Sequence, residues 1–403
     1  MTQDVHVDFA HPGFQSDPHP TYRQLRRAGP VRLVKLPSGV SAWLVTRYDD
    51  ARRALSDPRL SKAVPVGGPA EVSMPSEIRA AIMHHMLNAD PPDHTRLRRL
   101  VSTAFTSRRI EALRPRIGQI TEELLDRMNG RDRLDLIDAF AFPLPIQVIC
   151  ELLGVPVADR DSFRAWSGII VAGSQSGGRL PGAVAAMVAY IRGLIADRRG
   201  RDGDDLLAGL IAATDDGDRL SADELTSMVF LLLVAGHETT VNLIGNGAFL
   251  LLSEPERWER LRAEPSLLPS AIEEFLRFDG PVETATFRVA TEEVEIGGQT
   301  IPAGAPVLVV LLSANRDDER FPDAGKVVLD RAHNPHLAFG HGIHYCLGAP
   351  LARMEAHIAF EKLLGRYPDL RLAVDPAELR WRPGVLLRGL QELPVTPGAL
   401  PVH

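Results

Sequence analysis

Apolar positions recur at helical spacing over most of this chain, and the longest such run sets its plan. Ser221 followed three residues later by Glu224 is a capping-box signal, and the apolar stretch that it opens continues to Leu252. A helix of that length measures about 45 Å and, apolar nearly all round, has to cross the interior. Its middle, Ala235-Gly236-His237-Glu238-Thr239-Thr240, places four polar side chains where the pattern asks for core. Helical spacing also predicts scaffold over residues 21–28, 48–55, 110–128 and 140–153, and two helices between 163 and 199 around a glycine-rich connector at 173–182. Another helix restarts at Ser253-Glu254-Pro255-Glu256, and a last one runs to about Leu364.

Strand-like runs are short. Residues 31–36 and 42–45, separated by Pro37-Ser38-Gly39, predict a hairpin, and residues 284–291, 293–299 and 301–312 around Gly297-Gly298 predict a small β region. Residues 386–389 read as a hairpin tip. Residues 58–88, rich in Pro and Gly, form a long irregular segment of the kind that serves as a binding loop or as plain surface. Asp90-Pro91-Pro92 predicts a helix start with an Asp cap and prolines in the first turn, and His94 and Arg98, four apart, share one of its faces.

Composition narrows the class. The 403 residues show no linker, charge block or low-complexity stretch, which predicts a single domain over 1–403. With net charge −7 and arginines scattered among acids, nothing marks a nucleic-acid surface. The N-terminus lacks a basic region followed by an apolar run, and no segment is expected to reach a membrane span, so a soluble cytoplasmic protein without a membrane partner is expected. Two cysteines, Cys150 and Cys346, exclude a disulfide framework and a four-cysteine iron–sulfur cluster. Electrons, if the chemistry needs them, come from another protein.

The candidate chemistry gathers at Phe339-Gly340-His341-Gly342-Ile343-His344-Tyr345-Cys346-Leu347-Gly348-Ala349-Pro350, a glycine-rich loop that delivers one cysteine to the mouth of a helix. Glycines at 340, 342 and 348 permit tight or left-handed turns, and nearby amides favour thiolate over thiol. Three readings stand for Cys346: a small buried hydrophobe, a zinc ligand with His336, His341 and His344, or the thiolate ligand of another metal. In the long helix, His237-Glu238 begins like a zincin signature, but Val241 stands where the second histidine belongs. Thr239 and Thr240 alternatively bond back to the preceding turn. Arg96, Arg98 and Arg99 also read as a solvated basic face, and Glu274 with Arg277 as a surface pair.

The string F-G-x-G-x-H-x-C-x-G, continued by A-P-L-A-R, resembles the haem-ligating loop of the cytochrome P450 superfamily in its soluble bacterial branch. Four further motifs follow that family's order: D-P-P-x-H-x-x-x-R, A-G-H-E-T, E-x-x-R and the strand arginine at 288. The resemblance implies a mainly α fold with a smaller β subdomain, haem b lying between the long helix and the helix after Cys346. It implies Cys346 as axial ligand to iron, Phe339 beside the sulfur, and His94, Arg98, Arg288 and His344 on the propionates. Small Ala235 and Gly236 would let haem and dioxygen lie against the long helix, with Thr239 bonding dioxygen and Glu238 relaying protons. Glu274, Arg277 and Arg331 would form a buried network behind the cysteine loop. Expected substrate contacts are Leu87, Leu231, Val234, Thr284 and Leu387, under segments 58–88 and 173–182 as cover and lid.

The function so implied is a monooxygenase that inserts one oxygen atom from O2 into a hydrophobic small molecule. The helix variant L-L-L-V-A-G-H-E-T-T-V-N-L-I-G-N-G most resembles members acting on macrolides and other polyketide-type metabolites, with terpenoid or steroid-like compounds also open. A separate ferredoxin or flavodoxin with its reductase is expected to supply electrons to a monomeric enzyme, steered by arginines among Arg99, Arg108, Arg109 and Arg353. Two alternatives use the same cysteine. A peroxide-driven peroxygenase needs no reductase, and the acid–threonine pair argues against it; a haem or ligand sensor needs neither Glu238 nor Thr239.

Overall fold

The capping signal at Ser221 closes as its spacing predicts: Ser221 N donates to Glu224 Oε2 at 2.8 Å, and Glu224 N donates to Ser221 Oγ at 3.2 Å. Behind it one helix runs Ala222–Leu252, 31 residues, with Met228, Val229, Leu233, Val241, Ile244 and Leu251 buried. Gly247 serves close packing, since a Cβ there would stand 2.7 Å from the Phe360 ring and 2.8 Å from that of Phe275. A larger residue would force apart this helix and the two that carry those rings, Leu268–Asp279 and Ala349–Arg366.

The structure is a computed structural model that describes residues 7–37, 39–64, 76–172, 176–200, 203, 205–215 and 218–398. Its contacts divide the chain into two compact units, one of Met1–Val66, Thr121–Ala141 and Thr239–His403, the other of Gly67–Ile120 and Phe142–Glu238. The long helix belongs to both. Predominantly helical with small sheets, the chain has the mainly α architecture that its sequence implies.

The first unit holds the β structure. Val31–Lys35 and Ser41–Val45 form the expected antiparallel hairpin, with Val31 opposite Val45. Pro306–Val309 runs parallel to the second of these strands, and Arg288–Ala290 and Leu60–Ser61 complete a five-stranded sheet. Val45, Tyr48, Val309 and Leu311 pack in one apolar cluster, and Phe9, Tyr22, Leu44 and Leu308 in another. The strand expected to reach residue 312 stops at Val309, and Leu311–Ala314 is a turn of helix. A short, wholly buried apolar run has no periodicity to tell the two apart. Gly297 and Gly298, at φ 55° and 74°, make the tight turn between Val294–Ile296 and Gln299–Ile301. Trp381 pairs with Leu390 and Arg382 N donates to Gly389 O at 2.8 Å, closing the predicted hairpin tip.

Among the described residues the regular structure of the second unit is helical apart from one two-residue hairpin, Thr214–Asp215 with Asp218–Arg219. Asp93–Ala104 starts three residues after the expected Asp90 cap; Pro92 holds the cap position, and Asp90 instead accepts from His94 N through its carbonyl at 2.9 Å. The single helix expected over 110–128 is two, Ser107–Ala112 and Arg114–Met128, because Pro115 begins a new first turn. Likewise Pro143–Leu152 replaces the longer helix expected from residue 140, following a wider turn at Ile137–Ala141. Arg160–Ala172 and Leu180–Arg198 flank the connector; they are joined edge to face by Phe163 and Tyr190, centroids 4.9 Å apart. Ser38, residues 65–75 of the irregular segment and residues 173–175 of the connector lie outside the described residues.

The expectation that no segment is long and apolar enough for a membrane span is corrected. Leu180–Arg198 and Ala222–Leu252 both reach that length and hydropathy. In the long helix 67% of the apolar window is buried inside the protein, which makes it a core helix. In Leu180–Arg198 the apolar residues are mostly small and lie all round the axis, so helical periodicity gave no warning of them.

Candidate active site

Cys346 N donates to Phe339 O at 2.9 Å, and Gly340 N to Leu337 O at 2.8 Å. These bonds fold residues 337–346 into a closed loop. Gly340 and Gly342 sit at φ 76° and 73°, where a side chain is strained, and a Cβ on Gly342 would also stand 3.0 Å from Leu55 O. His344 ends the turn Gly342–His344 and is half-buried. Cys346 is exposed, three residues ahead of the helix Ala349–Arg366, and a Cβ on Gly348 would still clear its sulfur at 3.8 Å. Cys150 is its opposite: buried in the helix Pro143–Leu152, with burial pushing its thiol up to about 12.

Two consecutive acids on the helix Leu268–Asp279 hold the chain leading to this loop and the helix that follows it. Glu274 accepts from Arg277 Nη2 and Nε, both at 2.7 Å, from Arg331 Nε at 2.9 Å, from Asn334 Nδ2 at 3.1 Å and from Val328 N at 2.8 Å. Arg277 spends its other donors on the carbonyls of Asn315, Ala324 and Lys326, at 2.9, 3.0 and 2.9 Å. The Glu274–Arg277 pair is 0% exposed, so a surface bridge is excluded. Burial alone would raise the Glu274 carboxyl, but the bonds and charge of Arg277, with Arg331, hold it below its ordinary value.

Glu273 was not legible as a participant. It accepts from Arg353 Nε and Nη2, both at 2.7 Å, and pairs with His336 Nε2 at 3.0 Å. Against the effect of burial, these partners hold it at about 2. Arg353 in turn covers the Phe339 ring, 4.5 Å from its centroid.

Along the mostly buried long helix, Leu231, Ala235 and Thr239 follow at four-residue steps and are each incompletely buried, with Ala235 exposed. Val234 lies half-buried beside them. Gly236 points elsewhere: a Cβ there would stand 3.2 Å from Ile149 Cδ1, so its small size serves packing, not the open stripe. His237 and Glu238 are buried, and Thr240 with them.

On Asp93–Ala104, His94 is 2% exposed and its pKa is lowered, by burial first and then by the charge of Arg98 against the opposing Asp90. Arg96 does not sit on the solvated basic face that the sequence also allows; it pairs with Glu224 and, at 3.3 Å, with Asp218. Arg288 is buried on its strand, donating to Leu55 O at 3.2 Å. Beside it, Lys62 is buried and donates to Thr286 Oγ1 and to Phe287 O, a participant that no motif announced. Leu87 is half-buried in the turn Met86–Asn88. Thr284 is buried opposite Val310, and Leu387 faces Val282 from the hairpin tip. Of the docking candidates, Arg99 and Arg108 are exposed, whereas Arg109 donates to Ala104 O at 2.8 Å and Arg353 is held by Glu273.

The fold is that of a bacterial haem monooxygenase. The tirandamycin C-bound P450 monooxygenase TamI superposes with a TM-score of 0.90 at 49% identity, covering 98% of this chain and 100% of that one. In sequence, cytochrome P450 107B1 of Saccharopolyspora erythraea is 53% identical over 395 residues, 96% of each chain. The 6-deoxyerythronolide B hydroxylase of the same organism is 47% identical over 397 residues, 96% of this chain and 98% of the relative. Residues 185–376 match the family model "Cytochrome P450". This chain belongs to the cytochrome P450 family. It is an oxidoreductase that uses haem b, dioxygen and external electrons to oxygenate a hydrophobic small molecule.

Proposed function

We propose that this chain hydroxylates or epoxidises a bulky polyketide-type metabolite, such as a macrolactone, with Cys346 as the residue that would hold haem iron. The observation that carries the reading is the loop itself: an exposed sulfur on a backbone bent by Gly340 and Gly342, backed by Glu273 and Glu274.

Protohaem fits the residues present. The clearance at Gly348 leaves room beside the sulfur, and the amides at the start of Ala349–Arg366 favour its thiolate. Among the described residues no three of His, Cys, Asp and Glu converge, so Cys346 offers iron one protein ligand, and a macrocycle is suited to supply the others. His94, Arg98, Arg288 and His344 would hold the propionates by charge-assisted hydrogen bonds, with Phe339 packed beside the sulfur. When bound, a thiolate-ligated haem supplies electron density that favours O–O cleavage.

The chain's own residues do the rest. The open stripe Leu231, Ala235 and Thr239 would face a bound haem, with small Ala235 leaving room for dioxygen. The Thr239 hydroxyl would hydrogen-bond dioxygen, and the Glu238 carboxyl would pass a proton toward Thr239 Oγ1. Leu87, Leu231, Val234, Thr284 and Leu387 meet the substrate, while Glu274, Arg277 and Arg331 keep the loop in place.

Relatives named for 6-deoxyerythronolide B and tirandamycin C support the substrate class. With only two cysteines the chain builds no four-cysteine cluster, which supports a separate ferredoxin or flavodoxin with its reductase as the donor to a monomeric, cytoplasmic enzyme. The test is a screen of hydrophobic natural products for the spin-state change that follows loss of the iron's water. Response to polyketides above terpenoids and steroids is expected; response to fatty acids alone sinks the class.

A further inference from the structure

The hairpin tip that carries Leu387 is tied to parts of the chain hundreds of residues away. Arg388, 4% exposed, donates through Nη1 to Gln15 O at 2.5 Å and through Nη2 to Ser16 O at 2.8 Å, both in the short helix Pro12–Ser16. Its Nε donates to Asp279 Oδ1 at 3.1 Å, and its guanidinium lies over the Trp381 ring, 3.4 Å from the centroid. Gly384 N donates to Gln15 Oε1 at 3.1 Å, a second tie to the same helix.

The neighbouring segment is held from the same side. Glu283, 3% exposed, accepts from the Tyr22 hydroxyl of the next helix, His19–Ala28. Glu283 N donates to Leu386 O at 2.9 Å, and Arg388 N to Pro281 O at 2.9 Å, so the segment before Thr284 and the tip before Gly389 are stitched together. From the long helix, Asn246 Nδ2 donates to Arg388 O at 3.0 Å and to Asp279 O at 2.9 Å. A Cβ on Gly389 would stand 2.1 Å from Asn242 Oδ1, which leaves the tip no slack toward that helix.

We propose that Arg388 and Glu283 are positioning residues for the substrate: through Gln15, Ser16 and Tyr22 they make the N-terminal helix pair set the placement of Leu387 and Thr284, and so the ligands that the site accepts. A buried fork of charge-assisted bonds is suited to this, because it fixes orientation as well as distance. The proposal rests on the reading that Thr284 and Leu387 meet the substrate.

The test uses the haem-loaded enzyme and two azoles, imidazole and clotrimazole. Both ligate haem iron through nitrogen and are read by their spectral shift, but only clotrimazole is bulky enough to reach past the iron. Arg388→Lys keeps the charge opposite Asp279 and loses the fork. Expected are faster amide exchange in residues 12–16 and 384–389 together, clotrimazole binding weakened about 10-fold, the equivalent of one lost charge-assisted bond, and imidazole binding unchanged. Gln15→Ala, at a half-buried position, removes the tie to Gly384 and the side chain's bond to Phe9 O while keeping the backbone carbonyl that Arg388 grips, and is expected to give a smaller change of the same kind should the lysine variant fail to fold.

Unchanged exchange at residues 12–16 overturns the tie. Faster exchange in both segments with unchanged clotrimazole affinity overturns the placement of Thr284 and Leu387, and the proposal with it. Equal loss of both azoles marks Arg388 as merely structural.

Discussion

His237 Nε2 lies 3.5 Å from Glu238 Oε1, with both side chains buried, and the other imidazole nitrogen, Nδ1, lies 2.6 Å from Leu233 O. Because a carbonyl only accepts, the imidazole donates through Nδ1 to Leu233 O, which leaves its Nε2 toward the Glu238 carboxyl. Both residues directly precede Thr239 in the helix. Glu238→Gln is expected to slow oxygenation about 100-fold, within the range for a lost proton donor. Thr239→Ala is expected to keep haem and ligand binding while diverting reducing equivalents to peroxide. Product and peroxide measured per NAD(P)H consumed check both; wild-type coupling in the two variants points to another proton path.

Cys346→Ser is expected to abolish the red-shifted absorption of the reduced carbonyl complex while leaving the fold intact, since the sulfur is exposed and the loop is closed by backbone bonds. A carbonyl spectrum unchanged in the variant rules out Cys346 as the ligand.

Glu274→Gln leaves the guanidinium of Arg277 buried without its counter-charge and is expected to cost about 3–5 kcal/mol, read as a lower urea midpoint. Glu273→Gln is expected to cost only about 1 kcal/mol, because that carboxylate is 27% exposed. Equal losses would show that burial does not decide the difference.

Glu355 is buried in the helix after Cys346, and burial alone pushes its carboxyl up from 4.5 to about 8. Between those values the folded chain keeps a proton that the unfolded chain has released, so stability falls as pH rises through this window and levels off above it. In Glu355→Gln that contribution is absent. The variant is expected to match the wild type near pH 4.5 and to exceed it near pH 8, by a few kcal/mol at most. Thermal midpoints of the two proteins over this range check the sign; parallel curves mean that Glu355 is ionised in the folded state.

If an acidic ferredoxin docks by charge, turnover at limiting ferredoxin falls as salt rises. Arg99→Glu and Arg108→Glu are then expected to raise its apparent KM without changing substrate affinity, as befits exposed side chains. Arg353→Glu is a poor probe, since it breaks the bonds to Glu273 as well. Salt-independent turnover with both reversals silent shows that docking is not electrostatic.

What was legible in the sequence was local. The capping box at Ser221 and Glu224, the glycines at 340 and 342 and the apolar spacing of the long helix act within a few residues, and each appears in the structure. The E-x-x-R motif was legible as a pair, but the burial that gives it force depends on Arg331 and Asn334, 57 and 60 residues beyond Glu274. Glu273 carried no signal of its own because its partners come from just before the loop and from the helix after it, 63 and 80 residues away. The tie of Tyr22 to Glu283 spans 261 positions and that of Arg388 to Gln15 spans 373, and nothing in the local pattern of either end announces them. Boundaries failed where proline restarted a helix at Arg114 and where a buried run at Leu311 had no period to read.

Because Glu273 and Glu274 are neighbours that hold different stretches around the cysteine loop, the shape of the loop depends on the helix Leu268–Asp279 being in place and on no bond to a cofactor. Cofactor capture is therefore expected to follow folding. Chains made under iron starvation should accumulate as compact apoprotein that loads haem on addition, without first having to unfold.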